Sequence, residues 1–194
     1  VDVVSCDVQS GAWSVADGTL VEAVRVFAKL HNLFEDSVCT VLPRHDMTAR
    51  ILSLPTHSAV EIESMVRLGA EEYVPFPAHE LVIDQSVLQK SSDGTSKVLA
   101  VFAHRDVVEA HVDVLRKCAI DPDHIYVSTA CLASAAQQAR VDGPRYALVN
   151  LASGGVEVLV MHNGRLAYGR GAASQHDWKN LTQAGSPEVE DLAM

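Results

Sequence analysis

The stretch from Arg50 to Leu88 constrains the fold more than any other part of the chain, because it carries the boundary signals of three consecutive elements. Ser58 and Glu61 form a capping box, in which the hydroxyl and the carboxylate each satisfy a backbone N–H of the first helical turn. Pro75 and Pro77 end the helix. The stretch therefore predicts a strand, an amphipathic helix and a second strand, with the helix lying on a sheet. The apolar stripe comprises Ile62, Val66, Ala70 and Tyr73, and the solvated side comprises Glu63, Arg67, Glu71 and Glu72.

Further boundary signals divide the rest of the chain into short elements. The polar loop Ser91–Ser96 joins two extended runs and predicts an antiparallel pair of Leu81–Gln89 with Lys97–His104. The run Lys97–Ala103 is nearly all apolar, which is typical of a central strand covered on both faces. The other elements predicted before residue 140 are a strand at Val1–Val8, a helix capped by Thr19 and Glu22, a buried strand at Val38–Leu42, a helix capped by Asp106, a strand at Ile125–Val127 and a helix at Thr129–Ala139.

A new unit begins after Asp142-Gly143-Pro144, because glycine and proline together break both helix and strand. Tyr146–Leu151 reads as a buried strand, and Ser153–Gly155 as a tight turn. Val156–Met161 and Arg165–Gly169 then form a hairpin across Asn163-Gly164, since both turn residues tolerate a positive φ. Backbone N–H groups in a turn such as Ser153–Gly155 can cradle an anion, although a plain hairpin turn explains the same residues.

Composition excludes several classes of function. The net charge of −10 argues against a nucleic-acid partner, because phosphate binding depends on lysine and arginine clusters. No apolar run approaches the roughly 20 residues that span a bilayer. The four cysteines are widely spaced in apolar segments, which favours buried reduced thiols and a reducing cytoplasm. The nine histidines form no ligand spacing, so no metal-binding residue is assigned.

The chain resembles the type IV pilus assembly protein PilM over about Ala23 to Ala172. The most specific element is Ala70-Glu-Glu-Tyr-Val-Pro-Phe-Pro77, and Leu42-Pro-Arg44, Arg50-Ile-Leu-Ser-Leu-Pro55 and Leu81-Val-Ile-Asp-Gln-Ser-Val-Leu88 support it. PilM-like proteins belong to the actin-like ATPase superfamily, together with FtsA and the cytoplasmic part of GspL. The resemblance therefore implies an α/β fold with mixed sheets, of the actin-like or RNase H-like kind, carrying an SHS2-type subdomain.

The resemblance also implies a division into domains. Residues 1–42 would form part of the first actin-like subdomain, residues 43–118 the SHS2-like subdomain, and residues 119–143 a return to the first subdomain. Residues 144–194 would begin the second actin-like subdomain, which stops short of its usual length. A fragment, or a paralogue of about half the usual length, is the expectation.

The resemblance implies a phosphate loop at Ser153, Gly154 and Gly155, with Asn150 on the strand before it. Related proteins place an aspartate where Asn150 stands, to hold magnesium through water. A neutral amide supplies no charge, and the family's first phosphate loop, D-I-G-x-x-S, has no counterpart upstream. We therefore expect no catalytic residue and no hydrolysis, with ATP and magnesium as cofactors that only the resemblance suggests.

The implied function is that of a cytoplasmic scaffold, held at the inner membrane through a partner. It would bind the cytoplasmic tail of a PilN-like membrane protein and contact pilus or secretion motor components. The implied partner-binding residues are Tyr73, Phe76, Pro77 and Arg44, although core packing is the favoured interpretation of Tyr73, and Phe76 is left open between the two. Open strands between Tyr146 and Tyr168 would favour a homodimer. The alternative functions are an ATP-binding filament of the actin or FtsA type, and an interaction module that serves another envelope machine.

Overall fold

The computed structural model describes residues 14, 16–34, 37–139, 141, 143–152 and 154–173. The predicted strand at Val1–Val8, as well as Cys6 and Ser153, lie outside the described residues. The elements are α1 (Thr19–Leu30), β1 (Cys39–Leu42), β2 (Thr48–Leu54), α2 (Ala59–Leu68), α3 (Ala70–Tyr73), β3 (Leu81–Lys90), β4 (Ser96–His104), α4 (Arg105–Lys117), β5 (His124–Val127), α5 (Ser128–Gln138), β6 (Arg145–Ala152), β7 (Gly155–His162) and β8 (Arg165–Ala173). Short 3₁₀ turns lie at Arg44–Asp46 and Ala78–Glu80.

The described residues group into two compact units. The first unit runs to Thr40 and also contains Asp106–Ile125, whereas the second contains Val41–Arg105 and the chain from Tyr126 onward. The unit boundaries fall within β1 and β5, which pair in a two-stranded sheet.

The first unit contains α1 and α4 around a small apolar core. Ala28, Cys118 and Ile120 are buried there, with Val21 and Leu115 packed against them. The predicted cap of α1 is wrong in detail. Gly18 holds the N-cap position with a φ of 79°, and the Thr19 hydroxyl instead donates to the Asp17 carboxylate. Likewise α4 already begins at Arg105, so Asp106 lies in its first turn rather than before it.

A three-stranded antiparallel sheet, β2-β4-β3, opens the second unit. β4 lies at the centre, and the predicted pairing of its run with Leu81–Gln89 is confirmed. One face is covered by α2 and α3, whose Ile62, Val66 and Ala70 pack against Val98 and Phe102. These five side chains are at most 1% exposed, so this layer forms the principal apolar core of the sheet.

The predicted helix on this sheet is present, but it is divided. The Ser58 hydroxyl accepts a hydrogen bond from the Glu61 N–H, as a capping residue does. The other half of the predicted capping box differs, because the Glu61 carboxylate accepts from the Thr56 hydroxyl instead of a backbone N–H. α2 ends at Leu68, and Gly69 separates it from the single turn of α3.

A second antiparallel sheet, β6-β7-β8, forms the later part of the unit. Asn163 and Gly164 adopt φ values of 51° and 71°, so the predicted tight turn between β7 and β8 is confirmed. The prediction that Tyr146–Leu151 is fully buried is wrong. β6 is an edge strand whose Val149 and Leu151 are 58% and 53% exposed, because in the described part of the chain no layer covers that face.

The cysteine prediction holds in part. Cys39, Cys118 and Cys131 are free thiols, as expected, but Cys39 is exposed, although it lies in a segment predicted to be buried. Burial raises the pKa of both Cys118 and Cys131. Among the described residues, no helix combines the length and apolar character needed to cross a membrane.

Candidate functional site

A small pocket lies where β6 ends and β7 begins, and Gly155 of the candidate phosphate loop lines it. Asn150 and Gly155 line it together, as the resemblance implies, and Arg44 also lines it. The pocket has a volume of about 40 Å³. Its remaining lining residues are Pro43, His45, Ser128, Ala152, Val156, Glu157 and Ala172.

A buried carboxylate dominates the electrostatics of this pocket. Glu157 on β7 is 2% exposed. It accepts hydrogen bonds from the Ser128 hydroxyl at 2.8 Å and from the Thr129 hydroxyl, both in the first turn of α5. The Arg44 guanidinium lies 3.8 Å away, measured from Nε to Oε1. A buried polar group needs such partners, so the two hydroxyls and the guanidinium take the place of water around the Glu157 carboxyl group.

The Arg44 side chain makes its polar contacts within the protein. It is 11% exposed, and it donates to the Met47 carbonyl as well as facing Glu157. Burial lowers the pKa of Arg44, and the Glu157 carboxylate opposes that shift. A Cβ added at Gly171 would lie 2.2 Å from Arg44 Cγ, so β8 can pass Arg44 only with a glycine there.

The two glycines of the turn also allow neighbouring groups to approach the backbone closely. A Cβ at Gly154 would lie 2.1 Å from His45 Cε1, and one at Gly155 would lie 2.3 Å from the Ala172 carbonyl oxygen. Close approach by a side chain and a neighbouring strand therefore accounts for both glycines. The imidazole of His45 lies directly against Gly154, where a side chain would otherwise stand.

These residues do not fit a magnesium nucleotide. A volume of about 40 Å³ accommodates a few water molecules, whereas small-molecule sites enclose roughly 300–1,000 Å³. The nearby carboxylate of Glu157 is already taken by two hydroxyls and by Arg44. Across the described residues, no three His, Cys, Asp or Glu side chains are grouped so that they could hold a metal ion.

The sequence interpretation missed Glu157, His45, Ser128 and Thr129. One signal was present for Glu157, which interrupts the apolar run Val156–Met161 at a position that alternation places on the inner face. A charged residue at such a position needs a buried partner. No sequence signal identified Arg44 as that partner, because the two residues are far apart in the chain.

The second candidate site, the predicted partner-binding segment, lies at the carboxyl end of α3. Tyr73 is half-buried and its ring stacks on Phe102, with centroids 5.7 Å apart, so it packs with the core. Phe76 is 41% exposed, and its ring forms a T-shaped contact with the ring of His104, with centroids 4.8 Å apart. Pro77 is half-buried and precedes the turn Ala78–Glu80.

Charged groups lie near His104, the residue that the Phe76 ring contacts. The Glu80 carboxylate lies 3.6 Å from Nε2 of His104 and 3.8 Å from Nε2 of His79. Arg105 donates to the Leu81 carbonyl at 3.4 Å. The segment thus presents one accessible aromatic face beside groups of both charges, whereas Arg44 belongs to the pocket described above and Tyr73 to the core.

The sequence was compared with protein families and with curated proteins. A family model described as "Type IV pilus assembly protein PilM" matches residues 14–184. Among curated proteins, nothing matches the sequence.

Three solved structures resemble the fold. The structure of a "PilM-PilN type IV pilus biogenesis complex" aligns with a TM-score of 0.72 and 18% identity, over 82% of this chain and 49% of that one. The cytoplasmic domain of EpsL, an inner-membrane component of the Vibrio cholerae type II secretion system, aligns with a TM-score of 0.53 and 19% identity, over 88% of this chain and 61% of that one. A Bacteroides thetaiotaomicron protein with an actin-like ATPase fold and unknown function aligns with a TM-score of 0.46 and 10% identity, over 77% of this chain and 56% of that one. The chain thus spans about half the length of the PilM structure it matches.

Proposed function

Because the chain belongs to the family of the type IV pilus assembly protein PilM, we propose that it is a scaffold that binds the cytoplasmic tail of a PilN-like membrane protein. A role in pilus or secretion assembly follows from the family. The observation that supports tail binding is the exposed ring of Phe76, set beside His104 and Glu80 in the most specific segment of the resemblance. In this proposal the partner holds the protein at the cytoplasmic side of the inner membrane.

An exposed aromatic ring suits the capture of a short peptide. Aromatic side chains supply a large contact area at a low entropic cost, and they are frequent among residues that dominate binding energy. Glu80 adds a carboxylate that can receive a basic group of the peptide. Tyr73 anchors the segment in the core by stacking on Phe102, and Pro77 fixes the backbone that follows.

Calorimetric titration with the tail peptide of a PilN-like protein tests this proposal. We expect saturable binding to the wild-type protein, and binding weakened about tenfold or more by Phe76→Ala. Phe34→Ala is the matched control, because Phe34 is a phenylalanine of similar exposure, 44% against 41%, in the other unit. A folded protein that shows no binding to the peptide would refute the proposal.

We also propose that the chain does not hydrolyse ATP. Support comes from Asn150, which is neutral, and from His45, whose imidazole occupies the space beside Gly154. Titration with magnesium ATP in the same calorimeter should give no saturable heat. Nucleotide binding would instead favour the alternative function, an ATP-binding filament of the actin or FtsA type.

The scaffold role further includes contacts with motor components and pairing of two copies. Support for a homodimer comes from β6, which pairs only with β7 in the part of the chain that the structure describes. Edge strands of this kind can pair across two chains. Light scattering over a range of concentrations should show a dimer, and a monomer mass that does not change with concentration would contradict it.

A further inference from the structure

The helix α2 is apolar on two opposite sides. Its inner side carries Ile62 and Val66, which are 1% and 0% exposed against the sheet. Its outer side carries Val60 and Leu68, which are 74% and 85% exposed. At 3.6 residues per turn, Val60, Ser64 and Leu68 fall in one row along the outer surface.

The outer row is unnecessary for the fold. Ser58 caps the helix, and Ile62, Val66 and Ala70 hold it on the sheet. An amphipathic helix that needs only one partner layer ordinarily carries polar residues on its other side. Met65, 38% exposed, extends the apolar surface next to Leu68. Several large exposed apolar side chains on one side of a helix are typical of an interaction site.

The charges around the outer row select the partner. Glu61 on α2, and Glu71 and Glu72 on the adjoining α3, are exposed carboxylates. Glu63 is ion-paired with Arg67 at 4.0 Å, which leaves the surroundings of the row acidic. A second copy of this chain would bring the same carboxylates and would be repelled, whereas a basic partner would be attracted.

We propose that Val60, Met65 and Leu68 form a docking surface for a basic amphipathic segment of a partner protein. The apolar side of that segment would cover Leu68 and Val60, and its lysines or arginines would face Glu61, Glu71 and Glu72. This surface goes beyond the proposed tail-binding function, since it uses none of the residues assigned to the tail peptide.

Three synthetic helical peptides serve as probes. All three share one leucine-rich side. The remaining positions carry lysine in the first peptide, glutamine in the second and glutamate in the third, and fluorescence anisotropy measures their binding. We expect the lysine peptide to bind about tenfold or more tightly than the glutamate peptide, with an affinity that falls as salt is added. The double substitution Leu68→Ser and Val60→Ser should weaken binding of the lysine peptide about tenfold or more.

Matched controls separate the surface from general attraction. Val149→Ser changes another exposed apolar residue, 58% exposed on β6, and should leave lysine-peptide binding unchanged. Glu71→Gln with Glu72→Gln should reduce both the affinity and its salt dependence. Circular dichroism confirms that each variant keeps its helices.

The outcomes are distinct. Equal binding of the lysine peptide to the wild-type protein and the Leu68→Ser, Val60→Ser variant, or no binding to either, would overturn the proposal. A dimer of the wild-type protein that the same variant abolishes would assign the surface to a second copy, and would also overturn it. Tail-peptide binding by Phe76 is measured in the same variants and should be unchanged, so failure of that function and failure of this inference are distinguishable.

Discussion

The two three-stranded sheets of the second unit share the same alternation of side chains and differ in what covers them. In β2-β4-β3, the inward Val98, Ala100 and Phe102 of the central strand are at most 1% exposed against helices. In β6-β7-β8, the central strand places Glu157 among its inward residues. The outward Val149 and Leu151 of β6 are more than half exposed.

The difference teaches how each sheet is held. Apolar burial is non-directional and proportional to the area removed from water, so the first sheet depends on side-chain volume. The Glu157 network is directional, because each oxygen needs a donor at a specific place. The first sheet should therefore be sensitive to cavities, and the second to changes of polarity and of backbone clearance.

Truncating a core aromatic residue should produce the largest effect. Phe102→Ala removes a ring that is 1% exposed and stacked on Tyr73, and we expect a loss of about 3–5 kcal/mol in the free energy of unfolding. Leu151→Ala, on the uncovered face of the other sheet, should cost below about 1 kcal/mol. Urea denaturation measures both. Equal losses would mean that the two sheets are covered alike.

Removing the charge of Glu157 should rank second. Glu157→Gln leaves the Arg44 guanidinium buried without its anion, and we expect a loss of about 3 kcal/mol. Arg44→Met in the same chain removes the stranded cation and should recover part of that loss. A double-mutant cycle in urea tests this, and purely additive losses would show that the two groups are not coupled.

Closing the space at the glycine turn should rank third. Gly154→Ala places a methyl group within 2.1 Å of the His45 ring, which must move, at a cost of about 1–3 kcal/mol. His45→Ala in the same chain should relieve the clash. If Gly154→Ala alone proves neutral in thermal melts, His45 does not hold that position in solution.

Protonation of a single surface carboxylate, in a turn of the first sheet, should produce the smallest effect. Asp93, in the turn between β3 and β4, accepts hydrogen bonds from the hydroxyl and the N–H of Thr95, which lower its pKa. Because the folded pKa lies below the unfolded value, this contribution to stability is present above the unfolded pKa of about 3.9 and is lost as pH falls through the folded pKa.

The hairpin of the second sheet provides the comparison, because its turn residues Asn163 and Gly164 do not titrate. NMR titration of the Asp93 carboxyl carbon should show the depressed pKa, and Thr95→Val should raise it towards the ordinary value. An unchanged Asp93 pKa in Thr95→Val would mean that the hydroxyl does not hold the carboxylate.

Sequence patterns predicted the elements well where the signals were local. Ser58 and Asn163-Gly164 act within a few residues, so the start of α2 and the turn between β7 and β8 follow from chemistry that adjacent residues share. The stripe of Ile62, Val66 and Ala70 is equally local, because helical geometry alone places it on one side.

The site was predictable only in part. The resemblance pointed to Asn150 and Gly155 as site residues, and both line one pocket. Its other components, Arg44, His45 and Glu157, meet through tertiary packing that no local pattern encodes. Coverage is also non-local, since the alternation in β6 looks the same whether or not a layer packs on Val149 and Leu151.

The approach of Arg44 to Gly171 makes the tolerance of one position conditional on the other. A Cβ at residue 171 would lie 2.2 Å from the arginine side chain. In a mutational scan, almost every substitution at 171 would therefore score as harmful while arginine stands at 44, and a smaller residue at 44 would reopen position 171. Because a change at position 44 also removes the cation that faces the buried Glu157, each position is costly to change alone, and the two are expected to vary together.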